Sequence, residues 1–194
     1  MKKIFFNDKF GLTQAVLDGR KTITRRIVPF TYCEDKIHLS RYKVGEVVAI
    51  AQRYRDVEQE GYPVDSRYDA FRTANWEYGE DSALKSSKGW NNKLFTRADF
   101  MPHHIRITDI KVERLQDISD EDCLREGVEL NTRQYEYDGT KKYCVCGLKH
   151  WRAIGCTDFD APREAFAALI DKVSGKGTWE SNPYVFVYEF KLID

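Results

Sequence analysis

The chain ends in PYVFVYEFKLI, residues 183–193, and no other stretch limits its fold so strongly. A dense run of β-branched and aromatic residues fits a pleated, buried surface, so the molecule must build a sheet around it. Three more segments read as strands. KKIFFND opens the chain, KVGEVVAIAQRYR passes through a glycine turn into a β-branched run, and HHIRITDIKVERLQDI alternates apolar with polar residues. In the last of these the apolar phase moves from Ile105 and Ile107 to Ile110 and Val112, which predicts a bulge near Asp109.

Helices fill the gaps between these strands. FGLTQAVLDG is a short helix stopped by Gly19. SDEDCLREG begins with Ser119 as a cap, carries Asp122 at the capping-box position and ends at Gly127. PREAFAALIDKVSG places Phe166, Leu169, Ile170 and Val173 on one face. Strict strand–helix–strand alternation is missing, so the expected class is α+β, with a small, mostly antiparallel sheet or barrel and flanking helices. The length of 194 residues suits a single domain over 1–194. Two aperiodic stretches, at about 56–92 and 131–158, read as long insertions because they hold too few aliphatics for cores of their own.

Lys plus Arg and Asp plus Glu number 31 each, so the molecule offers no overall cationic field, and phosphate binding would need a local cluster. No apolar run reaches the length of a membrane span or signal peptide, and five irregularly spaced cysteines suit reduced thiols; both point to the cytoplasm. Cys144, Cys146, His150 and Cys156 lie close in sequence, but not at the spacing of a standard zinc finger, and free thiols are the better reading. The adjacent His103 and His104 open a strand and so face opposite ways, which disfavours a shared metal. SGKGTW lacks the first glycine of a phosphate loop. No metal or cofactor is implied. In the first insertion Trp76, Tyr78 and Trp90 either stack on a base or pin the loop to the body.

The segment that invites chemistry is DGRKTITRR, residues 18–26. It carries Arg20, Lys21, Arg25 and Arg26, with Thr22 and Thr24 threaded between them. Three readings compete: a solvated basic turn, an anion clamp, or a reactive site with a lysine and a hydroxyl at its centre. Its place between a helix and a buried strand favours a segment that lines a cleft. A flat strand would turn Lys21 and Thr24 to opposite sides, so they can meet only if the backbone bends.

Gly19, Lys21, Thr22, Thr24 and Arg26 resemble the G-x-K-T-x-T-x-R signature of ASCH-domain proteins, relatives of the PUA fold. The blocks RITDIKVERLQDISDEDCLREGV, REAFAALIDKVSGKGTW and NPYVFVYEF are similar, in the same order, to the phage and prophage branch of that family, whose members are sometimes labelled morphogenetic. The resemblance implies a PUA-like barrel with a cleft for RNA or a nucleoside. Arg20, Thr22, Arg25 and Arg26 are candidate nucleic-acid or anion ligands and Trp90 and Trp76 candidate stacking platforms, and the resemblance implies RNA, a modified nucleoside or a phage protein as partner. One branch with this motif deacylates N4-acetylcytidine. Carried over by position, its lysine base falls on Lys21, its threonine nucleophile on Thr24 and its glutamate acid/base on Glu126. Many members have a glutamate where Thr24 stands, so the threonine leans toward the hydrolase branch. The chain departs from the phage pattern at Ala49-Ile50-Ala51-Gln52, where relatives carry Trp-Val-Arg-Glu, and at His103, which follows Met101-Pro102 where they often have Trp. The expected function is therefore nucleoside or nucleic-acid binding, with amide hydrolysis and phage assembly as the alternatives.

Overall fold

The computed structural model describes residues 1–29, 38–59, 86–132, 136–137, 139–148 and 157–193. Strand β1 (Lys3–Ile4) leads through a 3₁₀ turn, Asp8–Phe10, into α1 (Leu12–Leu17) and β2 (Ile23–Ile27). β3 (Val47–Ile50) precedes α2 (Tyr54–Gln59), and the 3₁₀ turns Lys88–Trp90, Lys93–Phe95 and Ala98–Phe100 precede β4 (His104–Arg114). Then come α3 (Asp120–Arg125), the paired short strands β5 (Glu129–Leu130) and β6 (Tyr143–Cys144), α4 (Pro162–Ser174), α5 (Thr178–Ser181) and β7 (Tyr184–Leu192).

Five strands form one mostly antiparallel sheet in the order β1-β3-β4-β7-β2, so the fold is a mixed α+β one. β1 and β2 end the sheet, which corrects the barrel expectation: the sheet is open, not closed. Among the described residues no helix is long and apolar enough to cross a membrane.

The chain divides into two compact units. The first comprises residues 1–6, 47–106 and 192–194. In it β1 runs parallel to β3, pairing Ile4 with Ile50, and β3 pairs antiparallel with the start of β4, Val48 opposite Ile105. Ala49, Tyr54, Val57 and Met101 form a buried cluster, and Trp90 packs against it. Gly89 lies so close under Tyr54 that an added Cβ would stand 2.5 Å from the ring. Residues 60–85, with Trp76 and Tyr78, lie outside the described residues.

The second unit comprises residues 7–46 and 107–191. β2 runs antiparallel to β7, with Thr24 opposite Tyr188 and Arg26 opposite Phe186. Val185, Phe186, Val187, Tyr188 and Phe190 are all buried, which is why the β-branched and aromatic run was so strong a signal. α4 buries Ala165, Phe166, Leu169 and Ile170, while Val173 at its end is 37% exposed. The phase change in β4 appears as two successive exposed residues, Thr108 and Asp109, within an unbroken strand.

Candidate functional site

The basic segment leaves α1 through Gly19, which has φ 73°, a conformation that glycine adopts without steric cost. The amide of Lys21 then donates back to the Ala15 carbonyl at 2.8 Å, and that of Thr22 to the Arg125 carbonyl at 3.0 Å. The Thr22 carbonyl, by contrast, already accepts from the Phe190 amide at 2.9 Å. Thr22 is thus the residue at which the chain bends into β2, and Lys21 stands outside the regular strand. The alternation rule that would separate Lys21 from Thr24 does not govern it.

β2 is a terminal strand of the sheet, and Thr22 and Thr24 stand opposite Phe190 and Tyr188 on β7. Ladder bonds at Thr22 and Val28 set the hydrogen-bonded parity, so the Ile23 carbonyl points away from β7. There the Lys21 ammonium meets it at 2.8 Å. The same ammonium donates to the Glu126 carbonyl at 2.7 Å and forms an ion pair with Glu126 Oε2. The Lys21 side chain is 1% exposed and that of Glu126 6%, so this is a buried pair held one peptide ahead of Thr24.

Glu126 owes its position to α3. The Ser119 hydroxyl accepts from the Asp122 amide at 3.1 Å and caps the helix start. The Glu126 amide donates to the Asp122 carbonyl at 2.9 Å, and Gly127 turns the chain away at φ 106°. A Cβ on Gly127 would crowd Leu12 Cδ2 at 3.0 Å, and the backbone angle itself favours glycine there.

The three predicted catalytic residues are therefore all buried in the second unit, and two of them touch. Thr24 is 4% exposed, and among the described residues its hydroxyl makes no hydrogen bond, to Lys21 or to any other group. In β2 it shares a face with Arg26, two residues on, and with Tyr188 across the ladder. Tyr188 stacks edge-on to Tyr42 with 5.1 Å between ring centroids.

The predicted anion ligands fare differently. Arg25, expected to hold phosphate, is instead surrounded by carboxylates: Glu113 at 2.7 Å, Asp122 at 2.9 Å and Glu126 at 3.3 Å, with its side chain 1% exposed. A guanidinium enclosed by three carboxylates has its charge compensated within the protein, where the sequence reading had it facing an anion. Arg20 is at the surface and pairs with Asp18 at 2.9 Å and with Glu129. The Thr22 hydroxyl accepts from Arg125 Nε at 3.1 Å, so it orients an arginine. Arg26 is half-buried.

Burial holds the Lys21 ammonium below the ordinary lysine range, against the upward pull of Glu126, with Arg26 and Arg25 adding to the depression. Arg26 is also lowered by burial, although Tyr42 and Glu126 favour its charge. Desolvation would lower Arg25 too, but its carboxylates win and raise it. Burial pushes the Cys123 thiol up to about 12. Cys144 is a buried free thiol and Cys146 an exposed one; His150 and Cys156 lie outside the described residues. Among the described residues no group of three or more His, Cys, Asp or Glu side chains could hold a metal ion.

Sequence reasoning missed Glu113 altogether and saw Asp122 only as a capping residue. The available signal was indirect: a buried arginine requires carboxylates, and both lie in blocks that fold beside it. Comparison of the chain with protein-family models, curated proteins and solved structures finds no match.

Proposed function

We propose that the chain is an ASCH-type amidohydrolase that removes the acyl group from an N4-acylated, cytidine-like nucleoside. Thr24 is the nucleophile, Lys21 the base and Glu126 the acid/base. The observation that carries this reading is the buried Lys21–Glu126 pair, held on the carbonyl immediately before Thr24. Its support from the sequence is the ordered set of blocks similar to the ASCH family.

Burial lowers the proton affinity of Lys21, which a lysine base requires near neutral pH. Once Lys21 has given up its proton, its amine takes the Thr24 proton as Oγ1 attacks the amide carbon. The carbonyl π electrons move to oxygen, and Arg26, on the face of Thr24, is the cation assigned to the oxyanion. Collapse of the intermediate breaks the C–N bond. The leaving nitrogen takes a proton through Glu126 and departs as the free exocyclic amine. Water then hydrolyses the threonine ester, releasing the carboxylate and restoring the hydroxyl.

Binding of a nucleoside or nucleic acid without turnover is the second reading. It is favoured by the three oxygens that already accept from Lys21, an arrangement that suits an ammonium kept charged. The neutralised Arg20 and Arg25 weigh against a long phosphate backbone. Release of acetate from N4-acetylcytidine by purified protein separates the two. The hydrolase reading expects turnover that Lys21→Ala abolishes. A folded wild type that binds the nucleoside but releases no acetate from a panel of acylated nucleosides would favour binding alone.

A further inference from the structure

We infer that Arg25 is the positioning residue of the Lys21–Glu126 pair: it holds one oxygen of Glu126 so that the other is aimed at Lys21. This rests on the hydrolytic reading of the site. The two Glu126 oxygens are divided between two cations, Oε1 to Arg25 Nη1 at 3.3 Å and Oε2 to the Lys21 ammonium. A carboxylate with both oxygens engaged by different donors has its plane fixed.

Arg25 can do this because it is itself held. Its Nε and Nη2 both donate to Glu113 Oε1, at 3.0 and 2.7 Å, and Nη2 also donates to Asp122 Oδ2 at 2.9 Å. Those carboxylates are tied in turn. Lys111 contacts Glu113 Oε2 at 3.0 Å and Asp122 at 4.0 Å, and Arg125 reaches Asp122 Oδ1 at 3.2 Å. The chain of contacts runs from β4 and α3, through a residue of β2, to the carboxylate beside Lys21. A planar guanidinium fork serves three acceptors in fixed directions, which an ammonium on a flexible stem cannot do. The position that carries Arg25 is one of the variable places in the G-x-K-T-x-T-x-R pattern, so the signature itself assigns it no role.

The discriminating variant is Arg25→Lys, which keeps the charge and removes the fork. Two quantities are read: the titration of Lys21, followed by carbon NMR of its Cε and assigned with Lys21→Met, and the kinetics of N4-acetylcytidine hydrolysis. Loss of the aimed oxygen removes an upward pull on Lys21, so its titration moves to lower pH. The rate constant kcat falls roughly 100-fold, the lower end of what a positioned acid–base group contributes, while KM stays within about twofold. A folded Arg25→Lys protein with the wild-type Lys21 titration and wild-type kcat would overturn the assignment. If that variant does not fold, Glu113→Gln removes the acceptor of two of the four Arg25 bonds. It is expected to lower kcat at constant KM and to move the Lys21 titration down; no change in either overturns the proposal. A wild type without turnover defeats the hydrolytic reading alone, and the titration still decides whether Arg25 positions the pair.

Discussion

Lys21 is a residue whose burial works against folding. Its ammonium is buried where charge is costly, and Glu126 offsets only part of that cost. The consequence for stability has a definite sign. The folded lysine titrates below its unfolded value of 10.5, so between these two points the unfolded chain binds more protons than the folded one. Stability therefore rises with pH across that window. Tyr42 and Tyr188 are raised by burial and act oppositely above their usual value of 10.0, so the useful quantity is a difference between proteins. Urea midpoints measured against pH should rise in the wild type relative to Lys21→Met across the alkaline window. Parallel curves for the two proteins would mean that Lys21 does not carry this term.

At the scale of elements, the pair depends on how α3 begins and ends. Ser119 caps one end, and Gly127 ends the other in a conformation closed to ordinary side chains. Gly127→Ala should cost more than about 1 kcal/mol, since alanine meets both a positive φ and Leu12. Because Glu126 is the preceding residue, the same change should also disturb the Lys21 titration. Denaturant unfolding checks the first expectation; a variant as stable as the wild type would show that the turn relaxes freely. These elements were largely legible in the sequence. The β7 run, the Ser119 cap and the stops at Gly19 and Gly127 are local signals, and local rules carry them. Lys21, Thr24 and Glu126 were reached through the resemblance, since nothing local links residue 21 to residue 126. The enclosure of Arg25 was not legible, because four cations in one segment look like a phosphate surface until their partners are known. Glu113 and Asp122 come from other blocks, and only tertiary folding brings them to Arg25.

At the scale of the whole molecule, equal numbers of cations and anions acquire a structural meaning. In the second unit opposite charges meet in the interior, where Arg25, Lys21 and Glu126 are almost wholly enclosed. The sheet leaves β2 as a terminal strand, and Lys21 and Glu126 meet at its Ile23 carbonyl. The central claim is that Thr24 takes the acyl group while Lys21 takes its proton. Rapid mixing with N4-acetylcytidine, acid quenching and peptide mass mapping test it most directly. The account predicts an acetyl ester on Thr24 that builds up before steady state and is absent from Lys21→Ala. Turnover with no acetyl group on Thr24, or no turnover by the folded wild type, would contradict it.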